Sequence, residues 1–167
     1  LTSSPHDATA HQWYGEILAY QKRWPEAYAR LDAAMQIDPL SRIMYHLKGY
    51  WLASQGQYAQ ALPDFDEALR ITPGLFFPAT WKTLSLTQLR RFDEAVGVAN
   101  TLSPRTRESV LHFIAAMRDP ALGDAAAKYI LANAPSTQLT TAVMLSQLGK
   151  NDLALIAIER MFQQQAP

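Results

Sequence analysis

Trp24-Pro25-Glu26-Ala27-Tyr28-Ala29-Arg30-Leu31-Asp32-Ala33-Ala34-Met35-Gln36-Ile37-Asp38-Pro39 is answered 34 residues later by Tyr58-Ala59-Gln60-Ala61-Leu62-Pro63-Asp64-Phe65-Asp66-Glu67-Ala68-Leu69-Arg70-Ile71-Thr72-Pro73. An aromatic residue opens each stretch, alanines return at 27/61 and 34/68, a large apolar residue at 31/65, and proline closes both. Phe92 and Ala95 carry the echo into a third copy, and Gly15 upstream is matched by Gly49. Small, aromatic and proline residues returning at fixed phases predict stacked helix–turn–helix units, each too small to bury its apolar face alone.

Outward from these stretches, apolar residues keep helical spacing almost throughout, and no alternating strand pattern appears. Helix punctuation divides the chain into about ten segments. Helices are predicted at roughly 8–21 and 24–37, 41–55 and 58–71, 76–89 and 92–103, then 106–117, 120–133, one opened by Ser136 and ended by Gly149, and one from Asn151 to about Gln164. Pro25 suits a first helical turn, Ser41 an N-cap, and Asp119-Pro120 an N-cap followed by a first-turn proline. Pro63 lies inside a predicted helix, where it removes a backbone hydrogen bond, so a bend is expected there.

These residues resemble the tetratricopeptide repeat family. Its small residues let two helices approach, its large ones fill the gap, and its proline sets the turn into the next unit. The matches are Gly15, Ala27, Leu31, Ala34 and Pro39 in a first repeat (8–41), and Gly49, Leu52, Ala61, Phe65, Ala68 and Pro73 in a second (42–75). In a third repeat (76–104) Leu86 and Ala95 match, but Thr83 replaces the glycine, Ala99 the large apolar residue and Arg107 the proline. The resemblance implies an all-α fold, a right-handed α-α superhelix of about five antiparallel helix pairs. Residues 1–104 would form three repeats, and 105–167 degenerate pairs of the same solenoid ending in a capping helix. A second resemblance, through His11–Ala19 and Ile37–Ser41, is to the C-terminal repeat domains of bacterial winged-helix (ToxR/CadC-like) transcriptional regulators. Leu1–Asp7 has no initiator Met and no signal pattern, so the chain reads as a domain from something longer, with its compartment, cytoplasm or periplasm, set by the missing part.

In this family the first helix of each repeat lines a concave groove. Carried over, the groove would be faced by Thr9, Gln12, Glu16 and Tyr20, then Ile43, His46, Tyr50 and Ser54, then Phe77, Thr80, Leu84 and Gln88. Such a surface suits an extended peptide or an amphipathic helix. Gln12, Glu16 and His46 stand where a chaperone-tail adaptor needs Lys, Arg and Asn to clamp a carboxylate, which argues against that subgroup. Of the other aromatic residues, Trp13, Trp24, Tyr45, Trp51, Tyr58, Phe76 and Trp81 read as inter-helix packing.

Composition narrows the function further. Fifteen basic residues balance fifteen acidic ones, nine against ten up to Pro104 and six against five beyond it. With no basic stripe to neutralise phosphates, direct nucleic-acid contact is not expected. No apolar run is long enough for a membrane span. Cysteine is absent. His6, His11, His46 and His112 show no i,i+4 metal spacing, so neither metal nor cofactor is expected. Asp64, Asp66 and Glu67 read as a solvated acidic face. Gly149-Lys150 lacks the rest of a phosphate loop and reads as a helix C-cap. No catalytic motif appears. The reading is a non-catalytic protein- or peptide-binding module, a regulator's sensory or partner-binding arm. A free-standing scaffold or co-chaperone adaptor is the alternative, and a small-molecule sensor has no supporting motif. The last helix is apolar on many sides: either Met161 and Phe162 pack inward, or an exposed patch serves self-association or docking.

Overall fold

A computed structural model describes residues 7–133 and 139–163. Ten α-helices occupy the described residues: α1 Ala8–Tyr20, α2 Trp24–Ile37, α3 Arg42–Ser54, α4 Tyr58–Ile71, α5 Phe76–Gln88, α6 Phe92–Ala99, α7 Pro104–Arg118, α8 Gly123–Asn133, α9 Leu139–Gln147 and α10 Asn151–Gln163. No strand occurs among the described residues. Ser136, expected to open a helix, lies outside them, as do His6 and Gln164.

The chain divides into two compact units, 1–78 and 79–167, with the boundary inside α5. In the first unit α1 packs on α2, α3 on α4, and α2 on α3. Asp7 starts α1, its Oδ1 accepting from the amides of Thr9 (2.9 Å) and Ala10 (3.2 Å). Ala27, Leu31 and Ala34 of α2 are fully buried with Leu18, Met44 and Trp51. The two repeat glycines are where helices meet. A Cβ on Gly49 would lie 2.7 Å from Cε1 of Phe65, and one on Gly15 would lie 3.2 Å from the Ala27 carbonyl and 3.3 Å from the Trp51 ring. Phe65 therefore occupies the volume that the missing side chain leaves.

The 34-residue period also returns in the backbone. Lys22, Gly56 and Arg90 follow α1, α3 and α5 in the left-handed region, with φ of 59°, 77° and 59°. At each, the next amide reaches back five residues: Arg23 to the Leu18 carbonyl, Gln57 to Leu52, Arg91 to Leu86, all at 2.9 Å. Gly149 (φ 73°) ends α9 in the same way, with Lys150 bonded to Leu145. This is the C-terminal turn that satisfies orphan carbonyls and turns the chain for the next helix. Glycine enters it without strain, whereas Lys22 and Arg90 carry a Cβ there.

Pro63 leaves α4 continuous from Tyr58 to Ile71. Its ring and Ala59, whose carbonyl loses its donor, are both exposed, so water can satisfy that carbonyl.

In the second unit α7 packs on α6 and α8, and α9 on α10, with α8 touching both. α6 ends at Ala99, short of the expected Ser103, and gives way to turns. Asp119 caps as expected, accepting from the Ala121 amide at 3.0 Å, but Pro120–Leu122 is a 3₁₀ turn and α8 starts only at Gly123. Ala154 and Ala157 of α10 are buried. Phe162, expected to pack inward, is 70% exposed, and Leu155 and Ile156 are exposed too. Leu153, Ile158 and Met161 are half-buried. The alanines of α10 face the core, while Leu155, Ile156 and Phe162 point outward.

Candidate functional site

The helical phase of α1 places Gln12, Glu16 and Tyr20 on one face, and that of α3 places His46, Tyr50 and Ser54 on another. Gln12 Nε2 donates to Glu16 Oε1 at 3.0 Å. Glu16, Tyr20, Tyr50 and Ser54 then line a single cleft of about 120 Å³ together with Ala19, Leu47, Trp24 and Trp51. Tyr20 is 86% exposed at its rim, while Tyr50 is half-buried. Burial raises the Tyr50 hydroxyl above its ordinary pKa, and nearby Tyr20 adds to the effect.

Beyond the cleft the face continues through aromatic rings. The His46 imidazole stacks on Tyr50 (centroids 6.3 Å apart) and lies 5.9 Å from Phe77 and 6.3 Å from Phe65. Phe76 meets Phe77 edge to face at 5.2 Å. Enclosure among these rings drives the His46 pKa down to about 4, so the ring is neutral near pH 7. Its Nδ1 is buried without a hydrogen-bond partner. The first unit thus presents a row of rings from Tyr20 through Tyr50 and His46 to Phe77, with Glu16 as the charged member.

The third-repeat residues are placed differently. Thr80 and Leu84 are 0% and 1% exposed and offer no side-chain surface, while Gln88 is half-buried. From Pro78 to Thr87 α5 is buried at every position except Lys82. Its threonines sustain this by bonding back to their own helix: Thr83 Oγ1 to the Ala79 carbonyl and Thr87 Oγ1 to the Thr83 carbonyl, both 2.8 Å. Thr9 and Ile43 are exposed on α1 and α3.

Trp24 and Trp51 were missed as site residues because aromatic residues at repeat phases read as packing. Trp51 is indeed core, meeting Tyr28 edge to face at 5.7 Å, yet it also floors the cleft. Trp13 departs from the packing expectation altogether, at 64% exposure. On α4 Glu67 accepts from Arg70 at 2.8 and 2.6 Å, and Asp64, expected on a solvated face, is half-buried with its pKa raised by desolvation. His112 stacks on Tyr129 at 3.9 Å. Among the described residues no group of His, Asp and Glu could hold a metal ion, and no helix is long and apolar enough to cross a membrane.

No family model and no curated protein matches the sequence. Solved structures do match the fold. YrrB, a tetratricopeptide repeat protein with an unusual peptide-binding site, superposes with a TM-score of 0.59 at 16% identity, over 95% of this chain and 86% of that one. MamA from Desulfovibrio magneticus RS-1 (residue 41 to the end) gives 0.65 at 15% identity over 95% and 94%. PilW, a widely conserved type IV pilus biogenesis factor, gives 0.65 at 16% identity over 92% and 76%. The chain has the all-α tetratricopeptide repeat fold.

Proposed function

We propose that this chain is a non-catalytic module that binds a protein segment, an extended peptide or a helix, on the ring-lined face of α1 and α3. The observation that carries this reading is an open cleft lined by Glu16, Tyr20 and Tyr50, with Gln12 bonded to Glu16 and the rings of His46 and Phe77 continuing from Tyr50, on the helices that line the groove in the repeat family. Exposed aromatic residues beside a neutral imidazole favour apolar and backbone contacts over capture of an anionic tail. Gln88 belongs to the second unit and is proposed as a separate contact.

The test is selection of displayed peptides on the intact chain, followed by Tyr20→Ala and Phe77→Ala. Both rings are exposed, so each variant should lose the selected peptides while its unfolding midpoint hardly moves. Unchanged capture would place the site elsewhere, and a large loss of stability would make the rings structural.

Within a cell we place the module as the sensory or partner-binding arm of a bacterial transcriptional regulator, on the resemblance carried by His11–Ala19 and Ile37–Ser41. Deleting it in the parent protein should alter transcription of target genes. A free-standing scaffold or co-chaperone adaptor is the second reading, and unchanged transcription would support it. Leu155, Ile156 and Phe162 on α10 form a surface for self-association, which Leu155→Glu should weaken in a light-scattering measurement of mass.

A further inference from the structure

The cleft of the first unit has a specific chemistry. Tyr20, Trp24, Tyr50 and Trp51 surround it, and one carboxylate, Glu16, enters it. No basic side chain lines it, and among the described residues none forms an ion pair with Glu16. Aromatic faces carry negative potential, so several rings beside a carboxylate make a site selective for cations. A half-buried carboxylate in such a setting gains from a cationic partner that replaces its lost hydration.

We infer that this cleft receives a lysine side chain of the bound peptide, its ammonium meeting Glu16 and the surrounding rings, its methylenes lying along Leu47 and Ala19. This rests on the peptide-binding reading above and adds a preference for one residue type. Hydrogen bonding favours lysine over arginine. Gln12 Nε2 already donates to Glu16 Oε1, so a guanidinium fork would have to share that oxygen with the amide. A compact ammonium needs only the second oxygen.

The experiment is a titration of the intact, ¹⁵N-labelled chain, following the indole N–H signals of Trp24 and Trp51. The probes are blocked glycine pentapeptides with a central lysine, arginine or norleucine, and tetramethylammonium chloride, each taken to about 20 mM to reach millimolar contacts. The lysine peptide should shift both indoles about tenfold more tightly than the norleucine peptide, and more tightly than the arginine peptide. Glu16→Gln, with an unchanged unfolding midpoint, should erase the lysine preference. Equal binding of lysine and norleucine would overturn the inference by making the cleft merely apolar, as would arginine binding as well as lysine. Shifts from tetramethylammonium but not from the lysine peptide would assign the cleft to a free quaternary ammonium and overturn the peptide source. Silence from every probe overturns it too. If selected peptides still bind the ring-lined face without a lysine preference, only this inference fails. If no peptide binds that face, the proposed function fails with it.

Discussion

The first unit and the start of the second hold the same repeat positions and fill them in opposite ways. In repeats one and two a glycine on the first helix is followed by a large apolar residue at the matching place on the second, Gly15 by Leu31 and Gly49 by Phe65, and the Phe65 ring lies against Gly49. In repeat three the same positions hold Thr83 and Ala99, both fully buried. Volume moves from one helix to the other, and burial is kept. What the fold requires at these positions is a filled gap between helices, and a glycine is only one way to leave room for it.

Exchanging these solutions gives the largest expected effects. Phe65→Ala empties a fully buried ring site and should cost about 4 kcal/mol in denaturant unfolding. Gly49→Thr drives a Cβ into that ring and should cost about 3 kcal/mol. The double variant, carrying the third repeat's pair, should be at least about 1 kcal/mol more stable than the sum of the two losses predicts. Additivity would show that the exchange is coincidental.

Acid should separate the units next. The folded-state pKa of His46 lies near 4, below its ordinary value of 6.5, so between those values the unfolded chain binds a proton that the folded chain refuses. The contribution is fully present above about pH 6.5 and is lost as the pH falls towards 4, by about 3 kcal/mol in all. Amide exchange should show this loosening in α3 and α4, and His46→Phe should flatten it. A profile that survives the substitution would assign the slope to other groups.

Smaller effects belong to the turns. Gly56→Ala puts a side chain at φ 77° and should cost about 1 kcal/mol, while Lys22→Gly and Arg90→Gly should each gain about 0.5 kcal/mol in thermal unfolding. A loss on either replacement would mean that the lysine or arginine makes contacts that outweigh its strained backbone. The smallest effect is at the equivalent exposed pairs Arg23–Glu26 and Arg91–Glu94. Glu26→Gln and Glu94→Gln should leave the unfolding midpoints where they are, since solvent screens both pairs.

Much of this architecture is legible in the sequence because a helical repeat writes packing into spacing. Ala27, Ala61 and Ala95 are all fully buried, and eight of the ten helices start within two residues of their expected positions. Phase was less informative about the site. It expected Thr80 and Leu84 on an open face, yet both are buried, because α5 is enclosed where α1 and α3 are open. How many neighbours cover a face depends on tertiary packing and not on period. Trp24 and Trp51 were hidden for a related reason, since one ring can pack against a core and also line a cleft.

The recurring left-handed turns also bear on how the chain acquires its structure. Each closes a helix onto the next residue through a bond spanning five positions, and α1–α2, α3–α4, α7–α8 and α9–α10 are hairpins between sequence neighbours. Little loop entropy must be spent before such contacts form. Chains dominated by local contacts reach the native state in microseconds to milliseconds, so this one should assemble hairpin by hairpin, with Leu18, Leu52, Leu86 and Leu145 as early points of closure.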